Sequence, residues 1–282
     1  MIKRRDFLLG VCCSASVTLG TNKAKSQSDD NQRAYTCKTV STSNPDELVV
    51  VQYRDSGEKL EIEKKINELK ITPFGTSYLK DRWLPQHGLT PSGKITLGVF
   101  FLEGSDRQKK MVREAAEEWL KLGLDARFDL DFDVPQERSQ IRIGFDSSDG
   151  NWSYVGRNCL SIGLSSRTMN IADLIPHVCM HEWGHTFCLQ HEHQFPSGIK
   201  YNDQVVIQDA KRLWGWSEQQ TKRNILSKLG SDAVCVGDAQ FNPDSIMLYP
   251  VLPGWTTNGF SSGNILKISN RDISCLRGIY NF

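Results

Sequence analysis

His181 and His185 stand four residues apart in the run His181-Glu182-Trp183-Gly184-His185-Thr186-Phe187-Cys188-Leu189-Gln190-His191. Residues at that spacing share one face of a helix, so the two imidazoles point the same way and can grip one ion. Glu182 lies one residue round the helix, within reach of a water on that ion. His191 follows further along; if the helix ends near Cys188, the chain can turn back and offer a third nitrogen. Three protein ligands leave one coordination position for water, which is the pattern of a catalytic rather than a structural zinc. The chemistry open to such a site is hydrolysis. Zn2+ brings the ionisation of water near neutral pH, and Glu182 takes the proton and later delivers it to the leaving group.

A helix must carry this run, and the pattern predicts one from about Ala172 to Leu189. Ahead of it the chain reads as strands. Ile95 to Leu102 is apolar, and Phe128–Phe132 and Ile141–Phe145 alternate as half-buried strands do; Leu160 to Leu164 reads as a shorter strand. Between the first two lies a helix from Ser105 to Leu122, with Ser105 and Gln108 as a capping box and Gly123 as its stop. Beyond the histidines come a loop, a helix near Ser217–Leu229, a Gly/Pro/Asn-rich stretch and a last helix from about Ser269 to Ile279. Strands first and helices later is the α+β order. Trp214 and Trp216 read as core or loop anchors; His177 and His193 flank the run at spacings that do not suit a ligand and read as residues that support the ligands from behind or face solvent.

Composition narrows the function classes. The chain has 282 residues, 39% hydrophobic and 24% charged, with a net charge of +1. That balance gives no electrostatic case for nucleic acid or an anionic membrane surface. Residues 1–27 read as a signal peptide, because a basic stub (Lys3, Arg4, Arg5) precedes an apolar run too short for a stable membrane anchor. The paired arginines before Asp6-Phe7-Leu8 resemble a twin-arginine export signal, which implies a secreted or periplasmic protein. Residues 28–80, with a strand at 46–53 and a helix at 58–70, read as a leader: a propeptide or a structural extension. Residues 81–282 read as the catalytic domain. Outside the signal the cysteines are Cys37, Cys159, Cys179, Cys188, Cys235 and Cys275, an even set that permits disulfides in an exported protein. Cys179 and Cys188 lie too far apart along the predicted helix to bridge each other.

The H-E-x-x-H-x-x-x-x-x-H run resembles the zinc signature of the metzincin metallopeptidases. Ser245-Ile246-Met247-Leu248-Tyr249-Pro250 resembles their Met-turn, and its S-I-M-x-Y form is most similar to the astacin-like group. Trp152–Arg157, His191–Gln194 and Ile268–Ile273 are similar to further astacin segments. The resemblance spans roughly 81–282. It implies a twisted mixed sheet with the active-site helix in an upper subdomain, and a smaller, irregular lower subdomain carrying the Met-turn and the C-terminal helix. It also implies Met247 beneath the zinc and Tyr249 beside it, polarising the scissile carbonyl of a protein or peptide. Two positions depart from the family: Cys188 stands where it has glycine, and Leu248 where it has histidine. The expectation is a zinc-dependent endopeptidase with His181, His185 and His191 as ligands, Glu182 as base and substrate along the strand near Leu160–Leu164. The alternative is a zinc-binding protein of the same fold without peptidase activity. Iron on three histidines is disfavoured, since an iron triad includes a carboxylate ligand and none is placed here.

Overall fold

The computed structural model describes residues 37–40, 78–89, 93–230 and 240–282. The signal segment, the strand at 46–53 and the helix at 58–70 lie outside the described residues. Six strands, β1 (Cys37–Val40), β2 (Ile95–Phe101), β3 (Phe128–Asp131), β4 (Ile141–Gly144), β5 (Asn151–Tyr154) and β6 (Met169–Asn170), form one sheet in the order β1-β5-β6-β4-β2-β3. β3, β2, β4 and β6 run parallel to one another, and β5 lies antiparallel to β6. β1 pairs with the outer edge of β5 in parallel, Cys37 opposite Asn151 and Val40 opposite Tyr154. The sheet is therefore mixed, as expected.

Helix α1 (Asp106–Lys121) follows β2, and its start is the expected capping box. The Ser105 amide donates to Gln108 Oε1 at 2.9 Å, and Ser105 Oγ accepts from the Gln108 amide. Val112, Ala115, Ala116 and Trp119 recur at helical spacing and are buried. Gly123, with φ 106°, ends the turn beyond it. α1 packs against α2 (Pro176–Thr186), the helix that carries His181 and His185. Two indoles lock the pair: Trp119 Nε1 donates to the Met180 carbonyl and Trp183 Nε1 to the Val112 carbonyl, each at 2.9 Å. α2 is shorter than expected at both ends. Pro176 in its first turn fixes the start, where its missing N–H costs no helical hydrogen bond.

The strand expected at Leu160–Leu164 is absent. Residues Gly156–Ser161 form a 3₁₀ turn instead, and Leu160 and Leu164 are exposed. The buried guanidinium of Arg142 takes the carbonyls of Ile162 and Ser166, at 3.0 and 2.9 Å, so these main-chain groups are satisfied without a ladder. The helix expected near Ser217–Leu229 begins at its Ser217–Gln220 capping box as α4 (Glu218–Thr221) and continues as a π turn over Lys222–Leu226. Before it lies α3 (Asp203–Trp214), a helix that the sequence pattern did not reveal; only Val206 and Ala210 of it are fully buried. The last helix, α5, spans Asn270–Tyr280.

Two hydrophobic cores result. The larger joins the inner face of the sheet, α1, α2 and α5, and includes Met247. The smaller gathers Ile199, Val206, Trp216, Ile225, Leu248 and Trp255, with Trp214 packed on it. None of the described helices is long and apolar enough to cross a membrane.

Candidate metal centre

α2 ends at Thr186, Phe187 is its cap, and the chain reverses there. Cys188 adopts φ 89°, its amide donates to the His185 carbonyl at 2.8 Å, and the Leu189 amide donates to the Gly184 carbonyl at 2.9 Å. This is a Schellman motif with cysteine in the left-handed position. The departure from glycine thus leaves the turn in place, at a backbone cost of about 1–2 kcal/mol for an L residue. Trp83 Nε1 and the Tyr280 hydroxyl cap the last carbonyls, Thr186 and Phe187. The reversal brings His191 back over the helix.

The three expected histidines meet. One nitrogen from each of His181, His185 and His191 falls within 4.8 Å of the others, and all three side chains are buried. The Nε2 atoms of His185 and His191 are 3.1 Å apart. His181 Nδ1 faces the Ile246 carbonyl at 2.7 Å, and His185 Nδ1 faces the Leu189 carbonyl at 2.7 Å. With Nδ1–H donated to a carbonyl, each ring turns the Nε2 lone pair inward, the tautomer a metal needs. His181 Nε2 is buried and has no hydrogen-bond partner. An orphaned buried nitrogen beside two further imidazoles is what a cation would satisfy. Burial is also the main reason that the pKa of His181 falls to about 4, and that His185 and His191 fall well below 6.5. All three are neutral at pH 7, the ligating form. The donor set fits zinc.

Glu182 is fully buried in α2 and lines the same cleft as His181 and Tyr249. Tyr249 stands edge-on to His191, with ring centres 4.4 Å apart, and stacks on His193 at 4.2 Å. His193 takes the supporting place behind the ligands rather than a solvent-facing one. It is fully buried, and its Nε2 meets the Asn224 carbonyl of the π turn at 2.8 Å.

Four residues outside the expected set hold the site in shape. Gly184 sits in mid-helix because the chain opposite comes too close for a side chain: a Cβ there would lie 2.3 Å from Met247 Sδ and 3.2 Å from Trp119. A glycine inside a helical pattern is the available sequence signal for such contact. Asp272, the third residue of α5, accepts from Ser245 Oγ at 2.6 Å and from the Ile246 amide at 3.1 Å. The carbonyl of that same Ile246 orients His181. Glu192 donates its amide to the Met247 carbonyl at 3.0 Å, and its carboxyl accepts from the Asn242 amide at 2.7 Å. Burial pushes that carboxyl up to about 8. His193, through Tyr249, is the fourth. Cys159, Cys179 and Cys188 are buried and form no disulfide, with Cys159 and Cys179 pushed up to about 12 by desolvation, and Cys275 is disulfide-bonded.

No family model and no curated protein matches the chain. Solved structures do. One structure of myroilysin superposes with a TM-score of 0.63 and 24% identity, over 74% of this chain and 99% of that one. The fold is that of myroilysin. A second, a crystal structure of myroilysin, matches at TM-score 0.51 and 22% identity, over 92% of this chain and 98% of that one. A hatching-enzyme zinc-protease of the medaka fish Oryzias latipes matches at TM-score 0.47 and 16% identity, over 71% and 96%. The α+β, metzincin-like architecture expected from the zinc motif and Met-turn is the one the myroilysin match bears out.

The Gly184–Met247 contact yields a test within this fold. Gly184→Ala gains helix propensity of about 1 kcal/mol but overpacks the core by about 1–3 kcal/mol. The expected net is a lowered Tm in thermal unfolding. In a double-mutant cycle, Met247→Ala should cost less in the Gly184→Ala background than alone, because the clash is then removed. Additive effects would dismiss the contact.

Proposed function

We propose that the chain is a zinc-dependent endopeptidase, with His181, His185 and His191 as ligands, Glu182 as general base and Tyr249 as oxyanion donor. The observation that carries this is the convergence of three neutral, buried imidazoles, one of which, His181, lines a cleft together with the Glu182 carboxylate and the Tyr249 phenol. When bound, zinc supplies Lewis acidity and brings the ionisation of water near neutral pH. The protein's own groups do the rest. The Glu182 carboxylate accepts a proton from the attacking water and returns it to the leaving amine. The Tyr249 hydroxyl donates to the carbonyl oxygen as negative charge builds there. The Ile246 and Leu189 carbonyls keep His181 and His185 in the ligating tautomer. The larger part of the chain, 81–282, is the catalytic unit in this reading. Substrate would add as a strand at the outer edge of β5 rather than at Leu160–Leu164. β1, from the leader, holds that edge, which supports reading 28–80 as a propeptide that must leave. An N-terminal export signal and a secreted or periplasmic site of action belong to the same proposal.

Three variants test it. His181→Ala combined with His185→Ala should bring zinc content, expected near one per chain in the wild type, close to zero by elemental analysis. Full occupancy in that double variant would sink the site assignment. Glu182→Ala should keep zinc and fold but lose peptide hydrolysis. Unchanged turnover would remove Glu182 from the mechanism, and a wild type that binds zinc yet cleaves nothing would favour the non-peptidase alternative. Tyr249→Phe should lower kcat and kcat/KM together by about 10²- to 10³-fold, with zinc content unchanged. A rate within about twofold of wild type, far short of an oxyanion donor's contribution, would make Tyr249 a packing residue only.

A further inference from the structure

The π turn at Lys222–Leu226 is laced by hydrogen bonds to the loop behind the metal ligands. His193 Nε2 donates to the Asn224 carbonyl at 2.8 Å, and Gln194 Nε2 to the Arg223 carbonyl at 3.1 Å. In return, Lys228 Nζ donates to the His193 carbonyl at 3.1 Å, and the Leu229 amide to the Gln194 carbonyl at 2.9 Å. The turn closes on itself through the Ser227 amide and the Lys222 carbonyl at 2.7 Å, which leaves the Asn224 carbonyl to face the imidazole. Single π turns are frequent at functional sites. His193 in turn lays a ring face on Tyr249, with centres 4.2 Å apart and planes 25° from parallel. The main chain of Tyr249 is already fixed: the Leu248 amide donates to the Ser245 carbonyl at 3.0 Å, and Ser262 Oγ to the Tyr249 carbonyl at 3.4 Å. Only the side-chain torsions remain to be set, and the cleft that Tyr249 lines gives its ring room to turn. His193 Nδ1 is buried with no hydrogen-bond partner among the described residues. A histidine placed for its polar atoms would not leave one so; the ring face is the part in use.

We infer that His193, held by the π turn, is a positioning residue that keeps the Tyr249 ring in the orientation from which its hydroxyl serves the reaction. The inference rests on the reading of Tyr249 as oxyanion donor. In that reading His193 touches neither the ion nor the substrate, so its effect passes through Tyr249. A stacked aromatic pair biases ring orientation by about 3- to 10-fold beyond what burial supplies. An oxyanion donor works only from the right place, so a ring that spends its time elsewhere donates less. The loss then falls on kcat rather than KM, because the hydroxyl acts as charge develops. The bond to Asn224 has a separate task, which is to hold the imidazole in plane. Face and polar atom can be separated by substitution. Phenylalanine at 193 keeps a ring face without an N–H, whereas glutamine keeps an N–H for the Asn224 carbonyl without a face.

The test is a double-mutant cycle on the zinc-loaded full chain, with a quenched fluorescent peptide chosen from a library digested by the wild type. Zinc content and Tm are measured for every variant. His193→Gln should lower kcat by about 3- to 10-fold, the bias of one ring pair, with KM within about twofold. His193→Phe should stay nearer the wild type. In the Tyr249→Phe background His193→Gln should cost nothing further, because the hydroxyl it positions is gone. An equal fall in both backgrounds overturns the inference and leaves the peptidase reading intact. Should His193→Gln lose zinc or fold, His193→Leu, apolar and without a ring, takes its place in the cycle. The second readout needs no turnover. In the chain labelled with fluorotyrosine, the fluorine resonance of Tyr249 is the one that Tyr249→Phe removes. It should shift in His193→Gln and move back in His193→Phe, as a stacked neighbour is lost and restored. An unmoved resonance overturns the inference whatever the activity. A resonance that shifts and returns, in a chain that Tyr249→Phe does not slow, supports the stack and overturns the catalytic reading of Tyr249.

Discussion

A buried imidazole must find a partner for the nitrogen that faces away from a metal. Here His181 and His185 take theirs from main-chain carbonyls, Ile246 and Leu189. Leaving such a group unsatisfied in the interior costs about 1–3 kcal/mol, so the histidines are oriented only when both carbonyls are in place. One comes from the helix's own exit turn, the other from a segment much later in the chain. The fold around the centre can be read as the means of delivering the second. Asp272, at the start of α5, grips Ser245 and the Ile246 amide, and thereby fixes the carbonyl that His181 needs. Gly184 lets Met247 come close enough for that grip to close.

The same dependence explains what could be read from the sequence. The histidine pair, the Ser105 capping box and strands β2 to β4 are local patterns, and the structure follows them. His191 was legible as a ligand only through the spacing of the whole motif, because its placement depends on a left-handed residue, and cysteine is a poor advertisement for one. The two hydrogen bonds of the exit turn outweigh that backbone preference. Asp272, Glu192 and His193 carry no local signal of their roles. Their partners, Ile246, Asn242 and Asn224, are brought to them by tertiary folding.

The misread strand at Leu160–Leu164 failed for a related reason. Its Ile162 carbonyl is claimed by Arg142, a residue from β4 whose alternating pattern gave no hint that its guanidinium points inward, and its Leu164 carbonyl by Gln136. α3 was missed because its buried stripe is only two residues wide. In each case a contact distant in sequence overrode or replaced a local propensity.

One peptide bond separates Met247, in the larger core, from Leu248, in the smaller. Neither core can loosen at that turn without disturbing the other. A fluctuation that opens the smaller core would draw the Ile246 carbonyl away from His181, although that core contains none of the three histidines. Linkage then works in both directions. An ion held by the histidines would also restrain the smaller core, slowing amide hydrogen exchange around Val206, Trp216 and Trp255. The core without a ligand would thus become one of the places where occupancy of the centre is felt.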